Sequence, residues 1–184
     1  MGTRPTALPR DQIAARTGLE PLPVGSNAAS IGWHGNAILV RPGIRLVGLE
    51  RLTLPGVEPR GAVIADLDAE APLRVVAVHL GLLRMARRRQ LDALREAVLR
   101  RPPRPTVILG DFNEYSLRVG LGRLVRSFRL LPPAATFPSR MPRLALDRMA
   151  YSHDLLLEPI EVPKRKGTQA SDHLPLLAQM HWEG

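Results

Sequence analysis

Short apolar runs, cut again and again by proline and glycine, dominate this chain, and only one long stretch switches to a helical period. Runs of strand length lie at 36–41, 44–49, 62–67 and 73–80, with Pro42-Gly43 and Pro55-Gly56 among the turn residues between them. Over 83–100 the pattern changes: Arg87, Leu91, Leu94 and Val98 repeat at helical spacing, arginines cover the remaining surface, and Pro102 and Pro103 end the helix. A continuous apolar strand follows at 106–109, then a second helix is expected over 117–128 and further strands over 146–152, 155–162 and 174–180. Near the start, 9–18 reads as a short helix with Pro9 in its first turn and Gly18 closing it, and 21–35 reads as a loop. Strands outnumber helices and several follow one another directly. That pattern predicts a mixed α/β (or α+β) sheet protein, not a regular βαβ repeat. With no internal repeat and no dividing linker, the 184 residues are expected to form one domain over 1–184.

Composition adds two constraints. Lys+Arg number 26 against 17 Asp+Glu, a formal charge of +9, and only Lys164 and Lys166 are lysines, so the basic surface is arginine. Arginine keeps its charge and presents a planar fork suited to phosphate oxygens, so anionic partners are expected; a compositional bias of the genome is the competing explanation. There is no cysteine, which excludes disulfides, thiolate metal sites and a cysteine nucleophile. No apolar run approaches the length of a membrane span, and the first eleven residues carry two prolines and two arginines without an apolar signal core. A cytoplasmic location without a transmembrane segment is the expectation.

Four local patterns carry possible chemistry. Gly110-Asp111-Phe112-Asn113 follows the 106–109 strand, and the spacing of Asp111 and Asn113 aims both side chains the same way where the strand opens to solvent. A carboxylate there can bind a divalent cation or orient water, and an amide can hold a phosphate oxygen; a simple turn competes. Ser171-Asp172-His173 places a possible metal ligand, Asp172, beside a group able to handle a proton, with a solvated loop as the alternative. His79 ends an apolar strand and is either a satisfied core residue or a strand-end functional group. Asp147 interrupts an apolar run, so it needs a partner, either a charged histidine or an arginine.

Taken in order, strand-His79, Gly-Asp111-Phe-Asn113, Leu-Asp147-Arg and Ser-Asp172-His173, the chain resembles the endonuclease/exonuclease/phosphatase superfamily. Gly35-Asn36-Ala37-Ile38-Leu39, the Arg/Gln-rich helix after His79-Leu80, and Thr136-Phe137-Pro138 support the resemblance, which runs over about 35–180. It implies a four-layer sandwich of two mixed β-sheets flanked by helices. It also implies a hydrolase: a magnesium- or manganese-dependent phosphoesterase, most plausibly a phosphodiesterase, as nucleases of this group are. By the same resemblance Asp111 would orient or deprotonate water. His79 and Asn113 would contact phosphate, and Asn36 would lie beside them as a third phosphate-binding residue. His173 would stabilise the charge on phosphorus, Asp147 would hold His173, and Asp172 with Asn113 would bind the metal.

The same resemblance marks a departure. Family members begin with a strand ending in Asn and a second strand bearing a Gln-Glu pair whose Glu is the principal metal ligand; this sequence starts after that point. The fold is therefore expected to be N-terminally truncated, through a fragment, a misplaced start or true loss, with an exposed sheet edge open to oligomer formation. Glu114 is a further carboxylate near the motif, though neither Asp11 nor Glu20 has the context to replace the missing Glu. The alternative to an enzyme is a catalytically impaired phosphate- or nucleic-acid-binding module. The substrate is left open among a small molecule, a phospholipid head group and a nucleic acid. Arg84, Arg87, Arg88, Arg89 and the Lys164-Arg165-Lys166 segment either border the phosphate entrance or form a solvated face.

Overall fold

The computed structural model describes residues 9–116, 120–161 and 170–183. Helix α1 (Arg10–Thr17) begins after Pro9 and ends at Gly18, which takes the left-handed conformation at φ 67°. The short strands β1 (Glu20–Pro21) and β2 (Leu39–Val40) pair antiparallel, and α1 packs against β1. Three longer strands then form an antiparallel meander: β3 (Arg45–Leu54), β4 (Arg60–Asp68) and β5 (Pro72–His79). Helix α2 (Arg84–Leu99) crosses over, and β6 (Thr106–Asp111) returns parallel to β5. The chain continues through α3 (Gly122–Val125), β7 (Arg129–Leu130), β8 (Asp147–Tyr151), β9 (Leu155–Ile160) and β10 (Leu177–Trp182).

Six strands make one mixed sheet in the order β3-β4-β5-β6-β8-β7. Its side chains alternate between two apolar layers, as the two-residue period of a strand requires. Ala62, Ile64, Val76, Val78, Ile108 and Ala150 meet Leu91, Leu94, Ala97 and Val98 of α2 and Leu124 of α3 on one face. On the other face Val63, Ala65, Leu67 and Ala77 pack with Leu22, Val24, Ile38 and Val40 around the β1–β2 pair. Val107 and Tyr151 pack there with Leu155 and Leu157 of β9, which pairs antiparallel with β10. The architecture is thus the expected α/β sandwich, with the layer opposite α2 formed by two strand pairs. No helix among the described residues is long and apolar enough to cross a membrane.

Several elements differ in extent from the sequence-based expectation, each for a local reason. The run 36–41 yields only β2, because Trp33 and Asn36 close a tight turn through reciprocal backbone hydrogen bonds of 2.8 Å. The expected 117–128 helix reduces to α3 among the described residues; Gly120 and Gly122 are poor helix formers, and 117–119 lie outside those residues. Strand β10 starts at Leu177, after Pro175, which has no N–H to give a ladder. In the other direction, β6 runs on through Asp111, because β8 extends far enough to pair with it.

The extension of β6 depends on Gly110. Its φ of 139° suits glycine, and a Cβ there would lie 2.0 Å from the Val78 carbonyl oxygen of the neighbouring strand. Gly110→Ala should therefore destabilise the fold by about 3 kcal/mol or more, from strain and forced separation of β5 and β6. Urea unfolding would measure the change, and an effect within experimental error of zero would show that the strand pair tolerates a side chain there.

Candidate active site

One rung of the six-stranded sheet carries the site. Gly61 faces His79, His79 faces Asp111 and Asp111 faces Asp147 across four adjacent strands. Strand alternation puts His79 with Val75 and Ala77, Asp111 with Val107 and Leu109, and Asp147 with Met149 and Tyr151. Their side chains therefore lie on the face away from α2, where the β1–β2 and β9–β10 pairs pack. Two carboxylates opposite each other repel, and a histidine stands at each end of the row.

At one end, His173 Nδ1 bonds Asp147 Oδ2 at 2.7 Å. The backbone that presents His173 is clamped. Leu174 N–H donates to the Thr136 carbonyl, Ser139 N–H donates to the Asp172 carbonyl at 2.7 Å, and the Phe137 ring lies 5.0 Å from the imidazole. Burial pulls the imidazole pKa down, but the hydrogen bond and charge of Asp147, with Asp111 and Asp172 beyond it, raise it above its ordinary value. Asp147 therefore meets its need for a partner with a histidine.

At the other end, His79 Nε2 lies 3.7 Å from Asp111 Oδ2 and accepts a hydrogen bond from Arg60 Nη1. That contact leaves the His79 proton on Nδ1. Burial and the Arg60 charge hold this imidazole below its ordinary pKa. Gly35, at φ 85°, closes the other side: a Cβ there would stand 2.8 Å from His79 Nδ1. Between the two histidines, burial and the nearby Asp147 raise the Asp111 pKa despite the hydrogen bond from Asn113 N–H. A carboxylate so raised is a stronger base than one in water.

The Gly110–Asn113 segment leaves the extended conformation after Asp111, so Asp111 and Asn113 are not aimed together as an extended spacing would aim them. It is a turn, since Asn113 N–H donates to Asp111 Oδ1 at 2.8 Å and Asn113 has a φ of 49°. The same turn fixes Asp111 on the rung, while Asn113 Nδ2 donates to the Leu80 carbonyl at 2.9 Å and Phe112 is buried in the core under α2. One amide N–H of Asn113 is thereby committed to the scaffold.

Other expectations need correction. Asn36 is buried, and its Nδ2 is directed at the carbonyls of Trp33, His34 and Gly61, so it builds the wall beside His79 and its amide N–H groups are spent there. Glu114 does not approach a metal: it is buried and paired with Arg87 at 3.1 Å. Arg87 is therefore a structural cation, whereas Arg84 and Arg89 are exposed; Lys164-Arg165-Lys166 lie outside the described residues. Asp172 is exposed and acts on His173 by its charge.

The fit of a magnesium or manganese ion can be tested on this donor set. Asp147 Oδ2 is held by His173 and Asp111 Oδ1 by the Asn113 N–H. Among the described residues no group of three or more His, Cys, Asp or Glu side chains is placed to hold a metal ion. Magnesium is commonly held by one or two carboxylates with water completing its shell, but here the Asp111 and Asp147 oxygens named above are already engaged, so the described residues as placed form no cation site.

Arg60 and Glu58 were not anticipated from the sequence. Arg60 Nε and Nη2 both donate to Glu58 Oε2, at 3.1 and 2.8 Å, and Glu58 Oε1 accepts from Leu82 N–H at 3.1 Å. This chain of contacts fixes a guanidinium at the His79 end of the rung. The only sequence signal was an arginine at the head of a strand, which becomes meaningful once β4 is known to lie beside β5.

Over 163 residues the chain is 32% identical to the uncharacterized protein YbhP of Escherichia coli (strain K12), an alignment covering 82% of this chain and 64% of YbhP, so the chain spans less than two thirds of that relative. The fold is shared with the endonuclease/exonuclease/phosphatase from Bacteroides vulgatus, at a TM-score of 0.75 and 18% identity over 94% of this chain and 79% of that one. It is shared also with the human Nocturnin catalytic domain, solved with a bound sulfate anion, at a TM-score of 0.72 and 17% identity over 92% of this chain and 74% of that one. The Endonuclease/Exonuclease/phosphatase family pattern matches residues 4–173, and the chain belongs to that family.

Proposed function

We propose that this chain hydrolyses a phosphoester, a phosphodiester above all, with water activated at Asp111 and the phosphoryl transition state stabilised by His173. The observation that carries the reading is the different setting of two histidines, His79 on the rung accepting from Arg60 and His173 at its end bonded to Asp147. The Asp147 hydrogen bond favours a cationic His173, while burial and Arg60 favour a neutral His79. Groups pushed apart in this way mark an acid and a non-acid around the base between them.

In this reading Asp111 takes the proton as the water oxygen forms its bond to phosphorus. His173 Nε2–H, pointing away from the Nδ1 that holds Asp147, meets the growing negative charge and gives its proton to the departing oxygen. His79 and the Arg60 N–H groups left over from its bonds to Glu58 and His79 would bind non-bridging oxygens. Family members typically depend on a divalent metal. Because the described residues do not complete a cation site, no step is assigned to one here. The same deficit favours a second reading, a phosphate-binding module without turnover.

Assay of bis(p-nitrophenyl) phosphate with magnesium, manganese or chelator separates the two. The enzyme reading expects turnover, with the chelator arm reading its dependence on metal, and a fall of about a thousandfold in kcat for Asp111→Asn. Binding of inorganic phosphate without turnover under any of these conditions would favour the module. Arg60→Ala should raise KM about tenfold with a smaller effect on kcat, since it removes a charge-assisted contact to the anion; an unchanged KM would remove Arg60 from the substrate.

The pH profile has a defined sign. Activity should rise as Asp111 and His79 lose protons, the histidine doing so below the ordinary imidazole value, and fall as His173 loses its proton above that value. Asp147→Asn should move the alkaline limb to lower pH and also lower the part of the acid limb set by Asp111, whose pKa Asp147 raises. An alkaline limb that stays put would detach it from His173.

A further inference from the structure

The loops at the site end of the sheet carry an unusual surface. Val57 lies in the β3–β4 turn, Leu82, Leu83 and Met85 lie where β5 passes into α2, Tyr115 follows β6, and Met141 lies in the segment before β8. All six side chains are more than half exposed, Val57 at 86%. These loops are neighbours: Leu82 N–H donates to Glu58 beside Val57, and Arg87 of α2 pairs with Glu114 beside Tyr115. On the far side of the rung, the Met141 segment is tied to the His173 loop through the Ser139-to-Asp172 backbone bond. The exposed apolar side chains thus rim the site on both flanks.

Arginines accompany them. Arg84 and Arg89 on α2, and Arg140 and Arg143 around Met141, are exposed, and none forms an ion pair among the described residues. Aliphatic side chains ringed by unpaired cations complement an anionic bilayer, where apolar tips enter the acyl boundary and arginines meet the head groups. A single-stranded nucleic acid would be gripped by stacking aromatics, yet of these six side chains only Tyr115 is aromatic, and a duplex held through its phosphates would make no use of the exposed aliphatic tips.

We propose that the site-end loops dock on an anionic phospholipid surface, so that a phosphoester head group enters the site from the membrane plane. The substrate clause rests on the phosphoesterase reading above; the docking does not, so the two fail separately. Co-sedimentation of the full chain with vesicles of phosphatidylcholine and phosphatidylglycerol in equal parts, and with pure phosphatidylcholine, tests it. Binding should favour the anionic vesicles and weaken about tenfold or more in L83S/M85S and, independently, in R84E/R89E. Turnover of the soluble aryl phosphodiester should be retained in L83S/M85S, which also controls for folding. M141S, on the opposite flank, should weaken binding too. Absence of binding to anionic vesicles, or binding unchanged by both double variants, would overturn the proposal. So would binding lost in R84E/R89E, kept in L83S/M85S and displaced by a DNA duplex, the pattern of a nucleic-acid surface.

Discussion

A one-residue slip in a β-sheet sends every side chain of the strand to the other face. The pairing of β5 with β6 is therefore the constraint on which this site depends. In the observed register His79 faces Asp111, and β8 then places Asp147 next in line. Gly110 permits that register, since a side chain there would meet the Val78 carbonyl. Helix α2 holds it from one face with Leu91, Leu94 and Val98. The loops on the other face then act on a row whose order is already determined.

Electrostatics follow from this row. Asp111 and Asp147 repel each other, and the histidines beside them are set differently. His173 donates to Asp147, which raises its pKa, while His79 accepts from Arg60, and burial and the Arg60 charge lower its pKa. Arg60 is itself held by Glu58, and Glu58 by the Leu82 N–H at the start of α2. The crossover helix thus reaches the site twice, once through the packing beneath the sheet and once through this polar chain.

The central residues were legible in the sequence because their local pattern is informative: a histidine ending an apolar strand, a Gly-Asp-Phe-Asn turn after a buried strand, a carboxylate interrupting an apolar run. What escaped was tertiary in origin. Arg60 gains meaning only from β4 lying beside β5. Glu114 is claimed by Arg87, which shares the helical period of Leu91, Leu94 and Val98 and is buried with them, a pairing that sequence spacing does not show. Asn36 lies in the wall beside His79, but the turn that directs its amide at three backbone carbonyls is not visible in residue types. The fold class followed from strand-length runs and one crossover helix. The splitting of the layer opposite α2 into two strand pairs did not, since β2 shortens for the sake of the Trp33–Asn36 turn.

The opposite pKa directions of His79 on the rung and His173 at its end are the central claim. Long-range nitrogen-proton NMR of the imidazoles across a pH titration reads those directions without any substrate. The account predicts that His173 titrates above the ordinary imidazole value. It predicts that His79 titrates below that value and carries its proton on Nδ1 when neutral. Both histidines titrating together near the ordinary value, or His79 neutral with its proton on Nε2, would contradict it.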